Sequence, residues 1–192
     1  MKNNFFSFMK HKLTLLLTIL LIVFICYHPS LKNQFTNWDD NVHLTHLLSV
    51  RSLSFANLKN IFTESVFEVY IPLTTLSFAV EYYFFKLDPF IYHLDNVLLH
   101  LGVCGFVFWF ALLLGLPSLG AFFAALLFGL HPMHVESVAW VTERKDVLYS
   151  FFFMAAVCFY WKYLISQKKI YYYLTIPLGI LSMFAKPMAL SL

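Results

Sequence analysis

From Leu13 to Cys26 only Thr14 and Thr18 interrupt a run of aliphatic, aromatic and cysteine side chains, and Lys10 and Lys12 stand just before it. A bilayer core of about 30 Å needs roughly 20 such residues in a straight helix, so residues 13–27, extended at the start by 5–9, read as a membrane anchor. A basic start followed by an apolar core also describes a secretory signal, but no small-residue cleavage site follows, and Ile25 stands where a lipoprotein signal needs a small side chain. The anchor is therefore expected to be uncleaved. Similar runs recur at 91–114, 116–130, 147–164 and 171–184. With 60% hydrophobic and 20% aromatic residues against 12% charged, and 23 Phe, the chain is an integral membrane protein. The expected fold is an all-α, polytopic membrane helix bundle of about five spans, with a large external loop carrying interfacial helices.

Residues 70–87 decide the topology. The stretch is apolar, yet it contains Pro72 near its start and carries Glu81. If it crossed, every later span would flip, placing Lys162, Lys168 and Lys169 opposite Lys2, Lys10 and Lys12. Left in the interface, it keeps all six lysines on one side, as the positive-inside rule asks. The N-terminus is accordingly expected in the cytoplasm, with residues 54–87 lying along the outer face. Ser54 is placed to cap a helix there, with Phe55, Leu58 and Phe62 on one side. The chain divides into a cytoplasmic start and first anchor (1–27), an extracytoplasmic loop (28–90) and a transmembrane bundle (91–192). The net charge of +3, with no basic run able to track a phosphate backbone, excludes a nucleic-acid partner. Cys26, Cys104 and Cys158 lie in apolar stretches without paired spacing and read as small hydrophobes.

Three polar clusters fall on the outer side in this topology: Asp39 and Asp40 in "FTNWDDNVHL", the segment "HPMHVESVAWVTERKD", and Lys186. Arg144 and Lys186 are cations on the disfavoured side, where an anionic partner or a headgroup is expected. His93, Asn96 and His100 share one stripe of the second span, a pattern that inter-helix hydrogen bonding alone would explain, while Asp95 lies on another side. Pro132 breaks the third span. A helix from about Val135 would carry Glu136, Trp140 and Glu143 on one face with Arg144 close by. His131 and His134 have the look of a metal pair, but Pro132 between them disfavours the regular helix that would present both. Carboxylate, imidazole and guanidinium groups on an aromatic ledge suit a phosphate and a sugar better.

"FTNWDDNVHL", "LTTLSFAVEYYFFKLDPFIYHLDNVLLH", "LLFGLHPMHVESVAWVTERKDVLYSFFF" and "LGILSMFAKPMALSL" together resemble the membrane half of tetratricopeptide-repeat membrane proteins related to O-mannosyltransferases. The resemblance runs in order from about Phe35 to the end. It implies a GT-C class glycosyltransferase: a multi-helix membrane body, an acidic motif in the first external loop and a polyprenyl-phosphate-linked sugar as donor. It further implies a protein or glycan hydroxyl as acceptor, membrane lipids as surroundings, and a bacterial inner membrane as location. The family's membrane region continues through more helices and into repeats, whereas no period near 34 residues is found here, so the chain is expected to be a fragment. In this reading Asp39 or Asp40 is the base that takes the acceptor proton, with Asp39 favoured because it follows Trp38, and the second carboxylate orients it or holds a divalent cation. Arg144 and Lys186 would stabilise the leaving phosphate, and His131, His134 and Glu136 would contact phosphate or sugar. The alternative is a non-catalytic membrane scaffold or lipid-binding module in which the same groups hold a headgroup.

Overall fold

The computed structural model describes residues 2–66 and 68–191, with side chains from Lys10 onward; the side chain of Lys2, used above in the topology argument, lies outside the described residues. Eight α-helices are seen among them, with short 3₁₀ and π turns and one isolated antiparallel bridge, Val66–Val69. α1 (Lys2–Tyr27) ends where Pro29 follows, in a 3₁₀ turn His28–Lys32. After an irregular stretch at 33–36, in which Asn33 is extended, two further turns lead into α2 (Phe55–Thr63) and α3 (Pro72–Phe85). α4 (Pro89–Leu113) starts from Asp88, whose carboxylate accepts from the Phe90 N–H, and Pro89 occupies the first turn, where no N–H partner is needed. α5 (Ser118–Gly129), α6 (Val135–Ala139), α7 (Arg144–Ser166) and α8 (Lys169–Ala185) complete the bundle. Ser54 does cap α2, accepting from the Asn57 N–H at 3.3 Å.

Three helices are long and apolar enough to cross a membrane: Lys10–Lys32, Pro89–Leu113 and Arg144–Ser166. Ser118–Gly129 and Pro132–Ala139, bent by 49°, make a fourth if counted as one broken span. Length and composition thus give three or four spans where five were expected. α5 has only 12 residues, about 18 Å of helix, and α8 has 17 with Pro177 inside it. α3, with 14 residues, is likewise too short to cross.

The core has two parts. Ile19 and Val23 of α1, Val97, Cys104 and Phe108 of α4, and Ala121 and Ala125 of α5 form one between the long helices. Leu44, Val50, Ile61, Phe78, Tyr92 and Val141 form the other, which seats the loop segment on the ends of α4 and α7. α7 and α8 are joined by a two-residue turn in which Gln167 adopts φ 56°, and they pack along one another. Cys104 and Cys158 are buried free thiols as expected, but Cys26 is exposed on α1.

α5 approaches α1 and α4 closely at Gly129, where an added Cβ would sit 2.7 Å from Val23 and 2.8 Å from the Cys104 sulfur. Gly129→Val should overpack this contact and destabilise the bundle by about 1–3 kcal/mol. A lower midpoint of thermal unfolding in detergent would register it; an unchanged midpoint would mean that the helices give way freely.

Candidate functional site

The two adjacent carboxylates have opposite surroundings. Asp40 is 1% exposed and its oxygens are fully engaged. Oδ2 accepts from the Thr36 N–H at 2.7 Å and the Thr36 hydroxyl at 3.1 Å. Oδ1 accepts from the Trp140 indole at 3.0 Å, the Thr142 N–H at 3.1 Å and the Thr142 hydroxyl. Five donors saturate the lone pairs of one carboxylate, so Asp40 is the tie that fastens the first loop to the link between α6 and α7. Asp39 is half-buried and accepts no hydrogen bond among the described residues. Beside the pair lies His43, 6% exposed, with Nδ1 unpartnered. Burial and then the charge of Lys145 push His43 below its ordinary pKa, against the pull of Asp39 and Asp40. Lys145 itself pairs with Glu143 at 2.6 Å.

That tie also overturns the expected helical ledge. α6 ends at Ala139, Trp140 turns to an extended conformation (φ −99°, ψ 126°), and α7 begins only at Arg144. Glu136, Trp140 and Glu143 therefore share no helix face. The cause is tertiary: Asp40 draws the Thr142 N–H and the Trp140 indole toward itself, taking both residues out of the helix.

Arg144, expected to stabilise a donor phosphate, is 1% exposed. Nε donates to Asn96, one terminal nitrogen to Glu81 (2.9 Å) and the Tyr92 carbonyl (2.8 Å), and the other to Ser77 (3.3 Å), with Asp95 at 3.9 Å. The guanidinium also lies over the Phe78 ring at 5.1 Å. It joins α3, α4 and α7, and four of its five N–H groups donate within the protein. Burial pushes Glu81 up to about 7, opposed by Arg144 and assisted by Asp95.

Lys186 does stand at a cavity. A cleft of about 390 Å³ runs between α4, α5, α7 and the end of α8. Val103, Phe128, Val147, Phe153 and Met154 make its apolar wall; His134, Ser137, Asp146 and Lys186 gather as its polar groups. Lys186 donates to Asp146, which also accepts from the Ser137 hydroxyl at 3.1 Å, and its ammonium is 6.0 Å from the Tyr149 ring centre. Of the histidine pair, His131 is exposed and uses Nδ1 to accept from the Met133 N–H at 3.3 Å, capping the turn Pro132–His134. His134 packs on Phe128 and His100.

A second cleft, of about 350 Å³, opens on the other side of α6. Asp40, His93, Glu136 and Trp140 line it, with Asn33, Gln34 and Thr36 of the irregular stretch. Trp38, 72% exposed, lies against Trp140 with ring centres 6.0 Å apart. Among the described residues no three His, Cys, Asp or Glu side chains gather as a metal group.

Of the expected stripe, Asn96 donates to the Trp140 carbonyl at 2.9 Å and accepts from Arg144 of α7, and His100 meets the Gly129 carbonyl of α5 at 3.0 Å, so both make inter-helix bonds. His93 does not. Glu81 and Asp146 were missed as the partners of the two cations, although an acid inside an apolar helix signals a buried cation.

Fold and site together define a multi-pass membrane protein with a buried acidic tie and a largely apolar cleft of about 390 Å³. Its relatives are protein O-mannosyl-transferases. The chain is 42% identical over 94 residues to protein O-mannosyl-transferase TMTC2 of Homo sapiens, a stretch that covers 49% of this chain and 11% of that protein. It is 41% identical over 93 residues to TMTC3 of Mus musculus (48% and 10%) and 32% identical over 145 residues to TMTC1 of Mus musculus (71% and 15%). The chain thus spans no more than 15% of the length of these relatives. They are animal proteins and lend no support to a bacterial inner membrane. No family model and no solved structure matches the chain.

Proposed function

We propose that the chain is part of a membrane glycosyltransferase that moves a mannose-like sugar from a polyprenyl-phosphate donor to a hydroxyl of a protein acceptor at the extracytoplasmic face, with its N-terminus in the cytoplasm. The observation that carries this reading is Lys186 among the polar groups of an otherwise apolar cleft. An isoprenoid chain would lie along Phe128, Val147 and Phe153, while the phosphate takes the N–H groups of Lys186 not used by Asp146. His134 lies within the same cleft and would contact phosphate or sugar. Similarity to named O-mannosyl-transferases supplies the sugar and the acceptor class.

In transfer, the acceptor oxygen attacks the anomeric carbon as the bond to phosphate breaks. The acceptor proton passes to a carboxylate and the phosphate leaves with the electron pair. Asp39 is the carboxylate assigned to that proton, because Asp40 is occupied by five donors. Lys186 stabilises the leaving phosphate as its charge grows.

The test is polyprenyl-phosphate binding, followed by native mass spectrometry in detergent. Lys186→Met should weaken it about tenfold or more, as loss of a charge-assisted hydrogen bond does, whereas Lys59→Met on α2 should not. Equal binding by both variants would remove Lys186 from the phosphate site.

A further inference from the structure

His93 is the one member of the α4 stripe without a bond. It is 2% exposed, and neither ring nitrogen has a hydrogen-bond partner: they approach the backbone of Gln34 and Ala139 without reaching bonding geometry. A polar group buried in this state costs stability that a ligand bonded to it would restore. The ring forms part of the wall of the 350 Å³ cleft, a volume within the range of ligand sites.

That cleft is one half of a longer space. A further cleft of about 420 Å³ adjoins it, and Asn33, Val135 and Ala139 belong to the walls of both. The rest of its wall includes Cys26 and Tyr27 near the end of α1 and Leu130 just beyond α5. Cys26 and Tyr27 fall within the candidate span Lys10–Lys32, and Cys26 and Leu130 are exposed, so this half opens at the level of the bilayer. The joined space therefore runs from an apolar mouth beside lipid to the polar groups of Gln34, His93 and Glu136, the layout that suits an amphiphile.

Charge narrows the headgroup. Neither wall includes Lys or Arg, since Lys32 lines neither cleft although it precedes Asn33, and the acids present are Asp40 and Glu136. A phosphate here would face carboxylates and no cation, unlike one beside Lys186. A hydroxyl fits, because it offers one donor and one acceptor, as a neutral imidazole does. We infer that the joined clefts hold a second lipid, uncharged and hydroxyl-headed, with its hydroxyl bonded to His93 and its apolar body against Cys26, Leu130 and Val135. This lipid takes no part in sugar transfer, and the site stands independently of the transferase reading.

The test times the alkylation of Cys26 by maleimide, with the full chain in mixed micelles containing dioleoylglycerol, cholesterol or dioleoyl phosphatidic acid. Cys104 and Cys158 are buried, so Cys26 is the reporting thiol. Dioleoylglycerol or cholesterol should slow the reaction, and whichever does so names a glyceride or a sterol as the occupant. Phosphatidic acid, which has the same tails but a phosphate in place of the hydroxyl, should not. His93→Leu should raise the lipid concentration needed by about two- to tenfold, the scale of one net hydrogen bond, while His93→Gln, which keeps a donor and an acceptor, should protect as the parent does. Val135→Trp, a half-exposed position on both walls, should abolish protection. Protection by neither uncharged lipid, equal protection by phosphatidic acid, or protection unchanged in His93→Leu or Val135→Trp would overturn the inference. None of these results bears on polyprenyl-phosphate binding at Lys186, so the two readings fail separately.

Discussion

Arg144→Ala should cost about 3–5 kcal/mol of stability, the largest effect of any single change considered, because it leaves Glu81 as an uncompensated carboxylate 5% exposed and opens a cavity where three helices meet. Arg144→Lys should recover only a part, since one ammonium cannot reach Asn96, Glu81, Ser77 and the Tyr92 carbonyl together. Glu81→Gln should cost less than Arg144→Ala: its amide oxygen still accepts from Arg144, and Asp95 at 3.9 Å remains as a counter-charge for the guanidinium. It should also remove a pH dependence. The folded pKa of Glu81, at about 7, lies above its ordinary value of 4.5. Its contribution to stability is therefore fully present below about pH 4.5 and lost as pH rises through about 7. Thermal unfolding in detergent across that window checks both the rank order and the slope. If Arg144→Ala melts with the parent, the guanidinium is not structural and returns to the substrate site.

The second large effect is on turnover. Asp39→Asn keeps the shape of the side chain but removes the proton acceptor, so sugar transfer should fall by about 10² to 10⁴ while the melting temperature stays put. Asp40→Asn should behave in the opposite order. Its amide would turn N–H groups toward Thr142, Trp140 or Thr36, where donors already converge, so stability falls first. The assay needs a polyprenyl-phosphate sugar, a hydroxyl-bearing peptide and the full-length protein of which this segment is part. Parent-rate transfer by Asp39→Asn would favour the non-catalytic scaffold.

The long helices were legible because hydropathy is a local property: α1, α4 and α7 stand within a few residues of the apolar runs. The span count was less so, since α5 and α8 fall short of a bilayer's thickness and only packing decides how short helices sit. The fate of Arg144 and Lys186 could not be read. Glu81, Ser77, Tyr92 and Asn96 lie 48 to 67 positions from Arg144, and nothing local marks them as its partners. The stripe of His93, Asn96 and His100 was visible from its spacing, but which of its members would be left unbonded depends on where Trp140 and Gly129 end up. The break after Ala139 was invisible for a related reason: the residues around it have an ordinary helical pattern, and the force that unwinds them comes from Asp40, a hundred positions away.

That separation sets an order of events during synthesis. Asp40 leaves the ribosome long before Trp140 and Thr142, and in between the chain must deliver α4 and α5 to the bilayer. Until residues 140–142 arrive, the first loop has its carboxylate, the two groups of Thr36 and its apolar seat against Tyr92, but not its polar tie to the bundle. Maturation of the cap is then a late step, gated by translation of the segment that receives it. Ribosome-stalled chains ending before position 140 should carry a protease-sensitive loop, and chains ending beyond α7 a resistant one.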